Sequence, residues 1–185
     1  MTGQPWLVVI DMQHVFAAGS PWASPDYAAA SSGVRRLLPH FGERVVFTRY
    51  VAPERPAGAW VPYFEQWPFA LVPADDPLYD LTEEFDPGDR RVLTRPTFGK
   101  WGDELAAATA GADELVLTGV STDCCVLSTA LPAADAGIRV RVAADACAGA
   151  SREDHQRALD AMALYAPLVE ITTVDEVIAA LAART

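Results

Sequence analysis

Cys125 and Asp11 are the two residues whose type and placement could do chemistry. Cys125 falls just after the apolar run Glu114–Thr118, in the first turn of a segment with helical spacing. Unpaired backbone N–H groups and the helix dipole at such a turn favour a thiolate over a thiol. The same N–H groups can hold an oxyanion. A free cysteine is more commonly a small buried hydrophobe, and spacing alone leaves both readings open. Asp11 directly follows Leu7–Ile10, at a strand mouth where burial disfavours the charged carboxylate. From there it could take a proton from a neighbouring thiol; an Asp that hydrogen-bonds a turn is the plainer alternative. His14, His40 and His155 fall in helix or loop positions, not at a strand end where a Cys–His dyad would need one. They read as surface or local hydrogen-bonding residues.

The elements that must position these groups are legible as alternating runs. Strands are expected at Leu7–Ile10, Arg44–Tyr50, Arg90–Thr94, Glu114–Thr118, Ile138–Ala143 and Leu168–Thr172. Helices are expected at Tyr27–His40, Asp103–Ala110, Cys124–Ala136, Ser151–Tyr165 and Val174–Ala183, with Ser151 and Thr173 as N-caps. Thr122 and Asp123 are expected to cap the helix that carries Cys125. Near-continuous apolar strands alternating with helices indicate a parallel sheet covered on both faces. The fold class is therefore α/β, a doubly wound three-layer α/β/α sandwich around six parallel strands. Such sheets bind ligands beyond the carboxyl ends of their strands, which is where Asp11, Thr94–Arg95 and Gly119–Cys125 lie. Val51–Asp89 is rich in proline and aromatics and weakly periodic, and reads as a long excursion or lid over one end of the sheet.

Composition narrows the classes. The 185 residues suit one domain spanning 1–185, and the 51% hydrophobic content supports a sizeable core. Fourteen basic against 25 acidic residues give a net charge of −11, which disfavours nucleic acid and anionic membrane surfaces as partners. No apolar stretch is long enough to span a membrane, and the first residues lack the basic region of a signal peptide, so a cytoplasmic location is expected. Three cysteines, two of them adjacent and none in CxxC spacing, exclude a disulfide framework and a zinc knuckle.

The run Leu7-Val8-Val9-Ile10-Asp11-Met12-Gln13 resembles the opening of the isochorismatase-like cysteine hydrolases. The blocks Thr118-Gly119-Val120-Ser121-Thr122-Asp123-Cys124-Cys125-Val126, Ser128-Thr129-Ala130 and Ala134-Asp135-Ala136-Gly137 resemble their nucleophile motif. The resemblance covers nearly the whole chain. It implies that Asp11 is a general base and Cys125 the nucleophile, and that Cys124 lies at a variable position. It also implies a cis Val120–Ser121 peptide that aims the Ser121 N–H, with that of Cys125, into an oxyanion hole. The family's amide hydrolases complete an Asp–Lys–Cys triad. Here Thr94-Arg95-Pro96-Thr97-Phe98 occupies the corresponding stretch, so Arg95 is expected in the lysine's place, its guanidinium in the cleft beside Asp11 and Cys125. Lys100 is the alternative source of the cation. The metal-binding Asp-x-His pair of the family's nicotinamidases has no counterpart in Thr48-Arg49-Tyr50-Val51-Ala52, so no metal and no other cofactor is expected.

Phe16, Trp22, Tyr50, Trp60, Phe98 and Trp101 are expected around the pocket, which suggests an apolar or planar substrate portion. Arg49 is a candidate for binding a carboxylate. The reading that results is a hydrolase of a C–N bond in a small amide or carbamoyl compound, working through a thioester. Its rivals are a vinyl-ether hydrolase that uses Asp11 without the thiol, and a weakly catalytic binding or scaffold protein. Relatives commonly form homodimers or homotetramers, which the resemblance extends to this chain as an expectation.

Overall fold

The computed structural model describes residues 3–184. Six strands form one all-parallel sheet: β1 (Trp6–Ile10), β2 (Val45–Tyr50), β3 (Arg91–Arg95), β4 (Glu114–Val120), β5 (Arg139–Ala148) and β6 (Val169–Thr172), in the order β3-β2-β1-β4-β5-β6. The strand order reverses between β1 and β4, whose carboxyl ends carry Asp11 and the Cys125 turn. The helices are α1 (Tyr27–Phe41), α2 (Trp60–Gln66), α3 (Asp103–Ala108), α4 (Leu127–Asp135), α5 (Arg152–Ala163) and α6 (Val174–Ala182).

Side chains of a strand alternate between faces, and the core divides accordingly. Leu7 and Val9 join the apolar stripe of α1 (Ala30, Val34, Leu37, Phe41) and Val177 of α6. Val8 and Ile10 turn to the opposite face, against Ala130 and Ala133 of α4, Leu159 and Met162 of α5, and Leu105 of α3. Both faces of β1 and β4 are thereby buried, as their unbroken apolar sequences require. No helix among the described residues is long and apolar enough to cross a membrane.

Two elements depart from expectation. β5 runs five residues beyond Ala143, because its pairing with β4 shifts register between Leu117 and Gly119 and resumes at Gly119–Cys147 and Val120–Ala148. A bulge of this kind breaks the apolar pattern without ending the strand. The excursion between β2 and β3 holds α2 and two single 3₁₀ turns, Pro68–Ala70 and Pro77–Tyr79. It is fastened to the mouth of β1 by the buried Gln13 amide, which donates to Tyr50 O at 2.9 Å and Tyr79 O at 2.6 Å and accepts the Tyr50 N–H at 2.7 Å.

Candidate active site

Asp11 leaves β1 with φ of +51°, the only non-glycine at positive φ among the described residues. A left-handed conformation costs such a residue about 1–3 kcal/mol and persists where its surroundings fix it. Here Thr48 does so from β2. The Asp11 N–H donates to Thr48 O and Oγ1, both at 3.2 Å, and the Thr48 hydroxyl donates to Asp11 Oδ1 at 2.6 Å.

The second carboxylate oxygen faces Lys100. Its Nζ lies 2.8 Å from Asp11 Oδ2, and both side chains are 0% exposed. The ammonium also donates to Thr97 O at 2.8 Å and stands 5.6 Å from the centroid of the Tyr50 ring. The loop after β3 delivers it there. Gly99 lets that loop pass flush over α4, since a Cβ at this position would sit 2.6 Å from Ser128 O. The Lys100 N–H is then received by Thr129 Oγ1 at 2.9 Å. Oδ2 is otherwise without a hydrogen-bond partner, and the same carboxyl group faces the Cys125 side chain.

The Cys125 turn is built from β4. Gly119 has φ of +107°, and a Cβ there would lie 2.0 Å from Ile10 O, so only glycine lets β4 pass β1 at this register. The Val120–Ser121 peptide is cis. Thr122–Val126 then form one π-helical turn, closed by Val126 N donating to Ser121 O at 3.1 Å. Single π turns of this kind are frequent at functional sites, and this one leads directly into α4. Thr122 and Asp123 do not cap α4. Thr122 Oγ1 bonds His155 Nδ1 at 2.8 Å, and Asp123 Oδ1 accepts the Ala150 N–H at 2.9 Å, so both tie the turn to the start of α5.

Cys125 is 2% exposed. Burial first, and then the negative charge of Asp11, hold its thiol well above the ordinary cysteine range; the Lys100 ammonium pulls the other way. This direction runs against the helix-terminal field that favours a thiolate, because desolvation at a buried turn penalises the charged form. Burial first, and then the charge of Asp123, push Cys124 up to about 11.

A cavity of about 240 Å³ opens over the thiol. Ser121, Cys124 and Cys125 line it, as do the expected Phe16, Trp22, Tyr50 and Phe98. Tyr63 of α2 and Trp67 complete the aromatic wall, and both come from the excursion whose weak periodicity hid them. Trp60 and Trp101 are not in the lining. Trp60 packs behind Tyr63 and Phe98, at centroid distances of 5.3 and 5.4 Å, and Trp101 packs on the α4 side of the sheet.

Arg95 is not in the cleft. Its Nε pairs with Glu104 at 3.3 Å and its side chain is 30% exposed. The reason is lateral. Arg95 lies on edge strand β3, two strands from β1, which at about 4.8 Å per strand is roughly 10 Å away. Only the loop beyond it, ending in Lys100, crosses back to Asp11. Arg49 donates instead to Tyr79 O at 3.1 Å and Ala74 O at 3.3 Å. Among the described residues no group of three or more His, Cys, Asp or Glu converges as a metal site would require.

Comparison with known proteins agrees with this architecture. Over 146 residues the chain is 31% identical to streptothricin hydrolase of Streptomyces noursei, covering 76% of this chain and 48% of that protein. It spans less than half the length of the curated relatives it matches. A cysteine hydrolase from Pseudomonas syringae pv. phaseolicola 1448A superposes with a TM-score of 0.87 at 19% identity, covering 98% of this chain and 93% of that one. N-carbamoylsarcosine amidase from Thermoplasma acidophilum superposes with a TM-score of 0.75 at 24% identity, over 95% and 98% of the two chains. At these identities the structural likeness is one of fold. Residues 5–176 match the isochorismatase domain, a span that takes in all six strands, and the chain belongs to the isochorismatase family of hydrolases.

Proposed function

We propose that this chain is a cysteine hydrolase that cleaves a C–N bond of a small amide or carbamoyl compound through a thioester. The observation that carries the reading is the fully buried Lys100–Asp11 pair behind a cavity lined by Cys125. Burial and the Asp11 charge favour the neutral form of Cys125, so in this scheme attack on the carbonyl carbon is coupled to transfer of its proton to Asp11. The Lys100 ammonium offsets the negative charge as it moves to sulfur. The tetrahedral oxyanion is held by the N–H groups of Ser121 and Cys125. Collapse breaks the C–N bond, and the leaving amine or ammonia takes the proton from Asp11. Water then attacks the thioester, gives its proton to Asp11, and the sulfur recovers that proton as the acid departs.

With the Lys100 ammonium beside Asp11, Arg95 in the motif does not leave the site without a cation, which weighs against the weakly catalytic alternative. The test is turnover of small primary amides by the wild type and by Cys125→Ala. The variant should lose at least about 1,000-fold in kcat/KM, and hydroxylamine should trap an acyl group on the wild type. Turnover that survives in Cys125→Ala would overturn the thioester route in favour of acid–base chemistry by Asp11 alone.

A further inference from the structure

The part of the cavity beyond the thiol has a chemistry of its own. Phe16, Trp22, Tyr50, Tyr63, Trp67 and Phe98 supply six aromatic side chains to its wall, and Pro21, Ala23 and Ala150 supply small apolar surfaces. No Asp, Glu, Lys, Arg or His belongs to the lining. The cations of the neighbouring elements are committed elsewhere. Lys100 faces Asp11, Arg95 faces Glu104, Arg152 faces Asp26, and Arg49 is spent on backbone carbonyls. The net charge of −11 adds a long-range field against anions.

The rings also form a braced wall. Trp22 has centroids of Phe16, Tyr50, Tyr63, Trp67 and Phe69 within 5.0–6.1 Å of its own, stacked on Phe16 and edge-on to Tyr50, Trp67 and Phe69. A flat apolar group entering this space meets ring faces and edges already packed against one another. The volume of about 240 Å³ falls below the range of about 300–1,000 Å³ usual for drug-sized ligands, so the group is of single-ring size.

Resting on the hydrolase reading, we propose that the acyl or carbamoyl group taken by this site is uncharged, apolar or aromatic, and carries no carboxylate. A carboxylate close to the scissile carbonyl would lose its hydration among aromatic rings and gain no cationic partner. An ammonium would find ring faces but no carboxylate to pair with.

Four small amides test this. Pentanamide and succinamate have nearly the same shape, but the second places a carboxylate within the walled space. 4-Aminobutanamide places an ammonium there, and benzamide a flat ring. Hydrolysis by the wild type is followed by ammonia release. Binding to Cys125→Ala is followed separately by quenching of tryptophan emission, to which Trp22 and Trp67 contribute from the wall. Benzamide and pentanamide should be the better ligands and substrates, with succinamate and 4-aminobutanamide weaker by at least about 100-fold in both measurements. Binding in that order without cleavage of any amide would leave the specificity standing and remove the hydrolase reading. Cleavage of succinamate within about tenfold of pentanamide would overturn the specificity and leave the hydrolase reading intact. Preference for 4-aminobutanamide would identify a cation-binding cage instead, and failure of all four to bind would also overturn the proposal.

Discussion

Thr129 receives the Lys100 backbone N–H on its hydroxyl oxygen at 2.9 Å, and the same hydroxyl donates to the carbonyl of Cys125 at 2.7 Å. One buried oxygen thus couples the loop carrying the ammonium to the turn carrying the thiol. Thr129→Val keeps the shape and loses both bonds, leaving a buried N–H without its partner. It should cost about 1–3 kcal/mol of stability and lower kcat roughly tenfold through misplacement of Lys100. Thr129→Ser should restore both. Urea unfolding and steady-state kinetics on the two variants check this; equal losses in both would mean that the hydroxyl is immaterial.

Lys100 and Arg95 should behave in opposite ways. Lys100→Met leaves the Asp11 carboxylate buried and unpaired, which should destabilise the fold by about 3–5 kcal/mol and cut turnover by about 1,000-fold. Arg95→Ala breaks a partly exposed pair with Glu104 and should change stability by no more than about 1 kcal/mol. Its turnover should stay within about threefold of wild type. Thermal unfolding and amide hydrolysis of both variants decide the matter, and an Arg95→Ala enzyme as damaged as Lys100→Met would refute the assignment of the cation.

Stability should fall at alkaline pH. The fold holds Cys125 well above the ordinary thiol range, Cys124 at about 11 and Cys147 at about 12, in each case chiefly through burial. Unfolded thiols ionise near about pH 8.5. Above that pH the native state binds more protons than the unfolded state, so the stabilisation is complete below it and is lost as pH rises toward the folded values. Urea midpoints should decline from pH 8 to 10.5. In Cys147→Ala, which removes a buried thiol outside the cavity lining, the decline should be shallower. A flat profile across this interval would contradict the buried-thiol picture.

Chelation should leave hydrolysis unchanged. The Asp-x-His pair is missing from the sequence after β2, and no cluster of candidate ligands converges among the described residues. Amide turnover measured before and after treatment with EDTA provides the check. Inactivation reversed by zinc or iron would require a metal site that the residues on view do not form.

Much of the fold was legible in the chain because it is carried by local pattern. Short, unbroken apolar runs such as Leu7–Ile10 and Leu115–Leu117, alternating with helical segments, read as strands buried on both faces, and the structure has them so. The Ser151 and Thr173 caps are present as expected, each receiving a backbone N–H three residues on, from Asp154 and Glu176. The strand-end positions of Asp11 and Cys125 were legible for a related reason, since a residue just beyond a strand falls at the sheet's carboxyl edge; their roles as base and nucleophile came from the family resemblance. The excursion was not legible in the same way. α2 has a buried Phe64 but no regular apolar stripe, so nothing local announces that Tyr63 and Trp67 meet the cavity while Trp60 stands behind it.

The identity of the cation shows the division most plainly. In the sequence Arg95 ends a strand and Lys100 lies in a loop, and a loop lysine is ordinarily solvated. Strand order settles the matter, because β3 is an edge strand separated from β1 by β2, and the chain must fold back across two strand ends before any side chain reaches Asp11. Gly99 and Thr129 fix where that return path lands, in a slot closed to solvent. Sequence by itself determined the period of each element, the strand-end positions of Asp11 and Cys125, and the acidic charge. Tertiary structure alone decided which cation enters the site, that Cys125 is buried beside Asp11, and which rings wall the cavity. Those depend on distances and desolvation among segments far apart in the chain, which no local pattern encodes.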